Sequence, residues 1–217
     1  MNRRDFLRNT ALISGGTMIA PSFFAQGLGK EKVSGSNKIT ILHTNDTHSN
    51  IDPFPDNHAK YPGQGGVSRR FEMIQEIRSE EDNVLLLDAG DIFQGTPYFN
   101  MFGGVLEMKL MSQLGYDAAT MGNHDFDGGM DGFKTAKEYA EFPFLCSNYD
   151  FTNTELDGLT KPYTIFNKGK YKVGVFGVGV ELDGLVPDSK YGETEYLDPV
   201  EQATDCAAKL KEEGCDL

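Results

Sequence analysis

The feature that most constrains the fold is an unbroken apolar run, Val84-Leu85-Leu86-Leu87. A run without polar alternation is typical of a strand that is buried on both faces, as in the parallel sheets of α/β proteins. The run ends in Asp88-Ala89-Gly90-Asp91, where Gly90 permits a tight turn that leaves Asp91 free to project. Ligand sites of open α/β sheets lie at the carboxyl ends of the strands. The sequence therefore predicts an α/β fold with a polar site at one sheet edge.

Two other stretches repeat this pattern of an apolar strand that ends in polar residues. The first predicted strand runs into Asn45-Asp46-Thr47-His48, and the third runs into Gly122-Asn123-His124-Asp125-Phe126-Asp127. Asp46 and His48 are two residues apart, so an extended backbone would point a carboxylate and an imidazole the same way, as a metal pair requires. Each cluster alone is equally typical of a capped turn. The ordered set of three predicts one convergent site.

Helices and strands alternate along the rest of the chain, which favours a sheet covered by helical layers. The patterns predict strands at 38–44, 83–87, 117–121 and 142–146, a hairpin formed by 163–167 and 171–179, and helices at 67–79, 101–114, 133–140 and 197–214. His43 lies within the first strand, where we expect a hydrogen-bonded core histidine rather than a ligand. Residues 215–217 look like the first step of another strand, which predicts that the sequence is a truncated domain.

The ordered motifs resemble the amino-terminal metal-binding domain of the 5'-nucleotidase branch of the calcineurin-like metallophosphoesterases. The resemblance runs from about residue 39 to 217, and its matching stretches are 41–48, 87–91 with 94–96, 122–127 and 142–148. It implies a sandwich of two mixed β-sheets flanked by helices, here incomplete at the carboxyl terminus. Asp125 stands where members of the family often have Glu, and we expect this change to be mild.

The same resemblance implies the role of each site residue. Asp46 and His48 bind one divalent metal ion, Asp91 bridges it to a second ion, and Asn123 binds the second ion through its amide oxygen. His124 is the catalytic residue beside the phosphate, Asn123 also contacts the substrate, and the catalytic partner Asp127 orients His124. Two ions, such as Mn, Zn, Fe or Co, activate a water that attacks phosphorus. The ligand types do not select one metal.

The resemblance implies a metal-dependent phosphohydrolase of the 5'-nucleotidase type, and it leaves alternatives open. The same site serves a 2',3'-cyclic-nucleotide phosphodiesterase or a nucleotide-sugar hydrolase. A further alternative is an inactive truncated remnant with partial metal binding. Three more metal-binding histidines of the family follow the strand that begins at Cys215, whereas the only histidines in this sequence are His43, His48, His58 and His124. Residues 38–217 are therefore predicted to be the amino-terminal part of the metallophosphoesterase domain.

The first 25 residues resemble a twin-arginine signal peptide. Arg3-Arg4 is followed by Phe6-Leu7 and by a mostly apolar run to Ala25. Gly15, Gly16 and Pro21 interrupt that run, so it is a poor candidate for a stable membrane span. Residues 26–37 are rich in Gly, Ser and Lys and are predicted to be a linker. We expect export by the twin-arginine machinery to the periplasm, with a membrane tether if the signal is not cleaved.

The charge of the chain restricts its partners. The net charge is −13, and it becomes −15 without the three Arg and one Asp of the predicted signal peptide. Such an acidic domain is a poor binder of nucleic-acid backbones. Bound metal ions would still allow a small anionic substrate, so we expect a small phosphoester, such as a nucleotide. The three cysteines suggest no disulfide framework.

Overall fold

The computed structural model describes residues 37–217, so the predicted signal peptide and all but the last residue of the predicted linker lie outside the described residues. Strands and helices alternate along this part of the chain. In chain order the elements are β1 (Thr40–Thr44), α1 (Val67–Glu80), β2 (Val84–Asp88), α2 (Pro97–Phe102), α3 (Val105–Leu114), β3 (Ala118–Ala119), a 3₁₀ helix (His124–Phe126), α4 (Gly129–Lys137), β4 (Tyr149–Asp150), β5 (Tyr163–Lys168), β6 (Tyr171–Phe176), α5 (Asp188–Tyr191), β7 (Glu195–Tyr196) and α6 (Pro199–Glu212). None of the helices described is long and apolar enough to cross a membrane.

The first three strands form a parallel sheet in the order β1-β2-β3. β2 is central, and its neighbouring residues Leu85 and Leu86, which point to opposite faces, are only 0% and 2% exposed. This confirms the strand that the apolar run predicts. Thr44 pairs with Asp88, and Asp88 pairs with Ala119. The three strands therefore end at the same sheet edge, and the loops that follow them start side by side.

The sheet continues beyond β3 through isolated contacts. The predicted strand at 142–146 appears as a single parallel bridge between Ala119 and Phe144, followed by another between Leu145 and Lys161. Pro143 has no N–H group to donate, and its carbonyl oxygen accepts the Ala119 N–H at 3.1 Å. Proline thus shortens the ladder that the apolar pattern predicts. β5 and β6 form the predicted hairpin as a separate antiparallel pair.

The helix predicted at 101–114 is two helices, because the chain turns at Gly103 and Gly104, whose φ angles are 56° and 87°. Gly104 also packs against the ring of Phe93, which a β-carbon at this position would overlap. The glycine pair therefore ends α2 and lets α3 begin at Val105. This break places Glu107 in the first turn of α3, where it is buried.

One continuous core joins the sheet to the helices α1, α3 and α4. Its members include Ile74 of α1, Leu86 of β2, Met108 of α3 and Phe133 of α4. The other side of the edge strand β1 is open, because Ile41 is 47% exposed there and His43, two residues later, is also exposed. The expectation that His43 is a core residue was therefore wrong. Side chains two residues apart share a face of a strand, so the face of β1 that carries Ile41 and His43 is uncovered in the described part of the chain.

The carboxyl-terminal residues pack beside the hairpin. Asp198 caps α6 by accepting the N–H groups of Val200 and Glu201, each at 2.9 Å. After α6, the Asp216 N–H donates to the Lys172 carbonyl oxygen at 2.8 Å, and the Leu217 carbonyl oxygen accepts the Gly174 N–H at 2.7 Å. Residues 215–217 thus lie along β6 with strand-like hydrogen bonds, as the sequence pattern predicts.

Candidate functional site

The turn after β1 is held in a strained shape by the loop after β2. Asp46, His48 and Ser49 have φ angles of 52°, 44° and 52°, in the left-handed region that residues other than glycine rarely adopt. Their backbone N–H groups donate in succession to the carbonyl oxygens of Gly90, Asp91 and Ile92, at 2.9, 3.1 and 2.9 Å. The extended backbone that the Asp-x-His spacing suggested is therefore absent. A left-handed turn, fixed by these three bonds, orients Asp46 and His48.

Three candidate metal ligands meet at this turn. Asp46, His48 and Asp91 each offer one ligand atom, and the three atoms lie within 4.8 Å of one another. The Nε2 atom of His48 is 3.6 Å from Oδ1 of Asp46 and 4.0 Å from Oδ2 of Asp91. Two carboxylates and one imidazole fit a divalent first-row metal ion. The set thus fits one divalent cation.

The ring of His48 is oriented for this role by the backbone. Its Nδ1 atom lies 3.2 Å from the carbonyl oxygen of Phe93. A carbonyl oxygen can only accept, so Nδ1 carries the hydrogen and Nε2 presents its lone pair towards the two carboxylates. Histidine ligands of metals are commonly fixed in this way by a second hydrogen bond.

Asp91 connects the turns that follow β1, β2 and β3. Its Oδ2 atom faces His48, whereas its Oδ1 atom accepts the backbone N–H of His124 at 2.9 Å. Asp91 itself has a left-handed backbone, with a φ angle of 56°. Asn123, which is half-buried, precedes His124 at the N-cap position of the 3₁₀ helix, and its side chain makes no capping hydrogen bond. The sequence-predicted residues therefore occupy adjoining turns at one sheet edge.

His124 and Asp127 form a hydrogen-bonded pair beside the three carboxylate and imidazole ligands. The 3₁₀ helix brings His124 Nδ1 to 2.9 Å from Oδ2 of Asp127, and the centroid of the His124 ring is 5.1 Å from that of His48. The hydrogen bond that His124 donates to Asp127 raises the pKa of His124 above its ordinary value of 6.5, although partial burial opposes this effect. Such an imidazole can donate a proton to a leaving oxygen.

We expect the Asp127→Asn variant to lower the pKa of His124 in protein that has been freed of metal by a chelator. A histidine whose folded-state pKa is raised stabilises the fold below its unfolded pKa and loses that contribution as the pH rises through the folded pKa. The stability difference between wild type and variant should therefore be largest in acid and shrink with rising pH. An NMR titration of the imidazole Cε1–H signal measures the pKa, and an unchanged value in the variant would contradict the assigned hydrogen bond.

The structure assigns a role to Asp125 that the sequence analysis did not predict. Its side chain is 0% exposed and accepts four backbone N–H groups: those of Asp91 at 3.0 Å, Ile92 at 2.9 Å, Phe93 at 3.1 Å and Gly122 at 2.9 Å. Burial nevertheless raises the pKa of Asp125 to about 7. The four donors come from two loops about 30 residues apart, so no local pattern could reveal them.

The loops after β2 and β3 touch backbone to backbone at Gly122. A β-carbon there would lie only 2.6 Å from the backbone nitrogen of Asp91. Asp88, the last residue of β2, links the loop after β2 to the end of β1. Its side chain accepts the Gly90 N–H at 2.9 Å and the Thr44 hydroxyl at 2.5 Å. Burial raises the pKa of Asp88 to about 6. The candidate site is therefore built on a rigid junction of three loops.

Comparisons of the sequence and of the structure with known proteins find relatives of this chain. Residues 39–202 match the family model for calcineurin-like phosphoesterases. The snake venom 5'-nucleotidase of Gloydius brevicauda is 40% identical over 185 residues, which are 82% of this chain and 31% of that protein. Among solved structures, a 5'-nucleotidase precursor from Thermus thermophilus gives a TM-score of 0.73 at 32% identity and covers 82% of this chain and 35% of that one. The NAD nucleotidase of Haemophilus influenzae gives 0.72 at 30% identity, over 82% and 33% of the two chains. This chain thus spans about a third of the length of these proteins.

Proposed function

We propose that this chain, which belongs to the calcineurin-like phosphoesterase family, forms the metal-binding part of a hydrolase that cleaves the phosphoester bond of 5'-nucleotides. The observation that carries the proposal is the meeting of the Asp46, His48 and Asp91 ligand atoms with the His124–Asp127 pair. Relatives named as 5'-nucleotidases, at about 40% identity, support the nucleotide as substrate.

The described residues fit one divalent cation more fully than two. Asp46, His48 and Asp91 would hold the first ion, whereas the described residues offer only Asp91 and Asn123 for the second. When bound, the cations supply positive charge that stabilises a phosphoryl group and lowers the pKa of a water molecule. The two-ion site, with Mn, Zn, Fe or Co, remains part of this proposal.

The chain's own residues then orient the substrate and move one proton. The side-chain amide of Asn123 and the imidazole of His124 would donate hydrogen bonds to phosphoryl oxygens. The attacking water loses one proton to solvent, and as its oxygen forms the bond to phosphorus and the ester P–O bond breaks, protonated His124 gives its Nε2 proton to the leaving oxygen. His124 then regains a proton from solvent. Asp127 holds the Nδ1 side of the ring, so the imidazole keeps its orientation during the reaction. The strained turns fix the candidate ligands Asp46, His48 and Asp91 in place before substrate binds.

The predicted export and partners belong to the same proposal. A twin-arginine signal at residues 1–25 would deliver the protein to the periplasm, where small phosphoesters are available as substrates. The net charge of −13 argues against a nucleic-acid polymer as partner. A protease-protection assay on cell fractions, with an Arg3→Lys/Arg4→Lys variant, would test the export.

The direct test is to measure metal content and hydrolysis on the same purified sample. We expect chelator-sensitive hydrolysis of 5'-mononucleotides with Mn²⁺. The Asp91→Asn variant should lose at least about 100-fold in metal affinity, because Asp91 faces both neighbouring turns. Asp117→Asn is a matched control, since its carboxylate binds the Leu86 N–H and Lys168 rather than the site.

A panel of phosphoester substrates, assayed on the same sample, separates the 5'-nucleotidase assignment from its alternatives. Preferred hydrolysis of 2',3'-cyclic nucleotides or nucleotide sugars would replace the 5'-nucleotidase assignment with the corresponding alternative. A sample that binds Mn²⁺ weakly and hydrolyses neither nucleotides nor p-nitrophenyl phosphate would contradict the proposed activity and favour the inactive remnant.

A further inference from the structure

A small cavity, partly open to solvent, lies behind the turn that carries His48. Its volume of about 20 Å³ is enough for one water molecule. Ser49, Arg70, Ile92 and Glu107 line it together with apolar residues of α3. The cavity therefore lies between α3, which carries Glu107, and the turn after β1, in which Ser49 directly follows the candidate ligand His48.

Two polar side chains of this cavity are buried without a partner among the described residues. Glu107 is 3% exposed, and neither of its carboxylate oxygens has a hydrogen-bond partner in the described part of the chain. The hydroxyl of Ser49, which is 2% exposed, is in the same situation. A buried carboxylate without hydrogen bonds is strongly unfavourable, so a compensating group is required.

Arg70 supplies the compensating charge but not a direct bond. Arg70 lines the same cavity, and its guanidinium donates one of its five N–H groups to the Tyr116 hydroxyl at 3.4 Å. A positive guanidinium in the wall disfavours a cation as the occupant.

We propose that this cavity binds one water molecule that bridges Arg70 and Glu107. The water accepts a hydrogen bond from the guanidinium and donates its two hydrogens to the carboxylate of Glu107 and the hydroxyl oxygen of Ser49. Three hydrogen bonds are typical of a buried structural water. The bridge gives Glu107 and Ser49 one hydrogen bond each and ties α3 to the turn after β1.

The bridge also makes Glu107 a positioning residue for the candidate metal ligands, a consequence that rests on the proposed function. Ser49 directly follows His48, and its backbone N–H donates to the carbonyl oxygen of Ile92, which follows Asp91. The water would therefore lie behind the point where the two ligand-bearing loops are joined. Its loss should loosen both ligands together.

A crystal structure of the metal-free protein tests the water directly. We expect density for one water at about 2.7–3.2 Å from Glu107 and Arg70, and its absence from the Glu107→Met variant, whose apolar side chain replaces the carboxylate. A direct Glu107–Arg70 ion pair with no water would overturn the proposal. Anomalous signal in the cavity after soaking with a rubidium salt would overturn it too, because the occupant would then be a cation.

Mn²⁺ titration calorimetry tests the positioning role. Glu107→Met should weaken Mn²⁺ binding about 10-fold, whereas Gln113→Met, on an exposed position of the same helix, should leave it unchanged. Glu107→Gln keeps the side-chain shape and should weaken binding in the same direction, which covers the case that the first variant does not fold. Unchanged affinity in a folded Glu107 variant would overturn the positioning role. Absence of Mn²⁺ binding in the wild type would instead contradict the proposed function, and the crystal structure would still decide the water site.

Discussion

Replacement of Asp125 by leucine is expected to cost at least about 4 kcal/mol of folding free energy and to abolish metal binding. The side chain is fully buried and accepts four backbone N–H groups from the loops after β2 and β3. Leucine has a similar size but accepts no hydrogen bond, so buried donors would lose their partners at about 1–3 kcal/mol each. Chemical denaturation measures the loss of stability, and Mn²⁺ titration measures the loss of binding.

The Asp125→Asn variant separates positioning of the ligands from general stability. Asparagine keeps the shape of the side chain but turns one acceptor oxygen into an NH₂ group that faces N–H donors. We expect a folded protein whose Mn²⁺ affinity falls at least about 10-fold. Asp117→Asn should lose some stability and keep its Mn²⁺ affinity. The Asp117 carboxylate accepts hydrogen bonds from the Leu86 N–H and from Lys168, and none from the residues of the candidate site. Equal Mn²⁺ affinity in wild type and Asp125→Asn would show that Asp125 is merely structural.

The part of the fold that depends on local patterns could be predicted from the sequence. The unbroken apolar run predicted the central strand, because only a doubly covered strand tolerates it, and the family match and structural neighbours confirm the α/β fold of the calcineurin-like phosphoesterases. The break between α2 and α3 could not be predicted as firmly. It depends on Gly104 meeting the ring of Phe93, a contact between distant residues. His43 was misplaced for a similar reason, since the packing of distant elements decides which face of a strand is covered.

The candidate site shows the same division between local and distant information. Asp46, His48, Asp91 and His124 were singled out because each follows a strand, and the structure brings them to adjoining turns. Their orientation was predicted for the wrong reason, since left-handed turns rather than an extended strand aim Asp46 and His48. The roles of Asp125 and Glu107 were not predicted. Asp125 accepts backbone N–H groups from the loop after β2, and Glu107 lines a cavity together with residues of the turn after β1. Supporting residues of this kind require the structure.

The largest effect on turnover is expected from His124→Ala, which should slow hydrolysis of 5'-nucleotides by about 10²–10⁴-fold, the contribution typical of a positioned acid or base. Bound metal should be retained, because the link from His124 to Asp91 is a backbone N–H that alanine keeps. Turnover and elemental metal content on the same sample measure both effects.

His43→Ala is the matched control for that variant, because His43 is an exposed histidine on the open side of β1 and should leave turnover unchanged. An equal loss of turnover in the two variants would show that the assay does not report on the site. Unchanged turnover in His124→Ala would reject the proton-donating role of the His124–Asp127 pair. Loss of metal from His124→Ala would contradict the separate roles of the metal ligands and of the His124–Asp127 pair, since His124 would then act by holding the ligands in place. Retained metal with lost turnover is therefore the one outcome that the proposed chemistry allows.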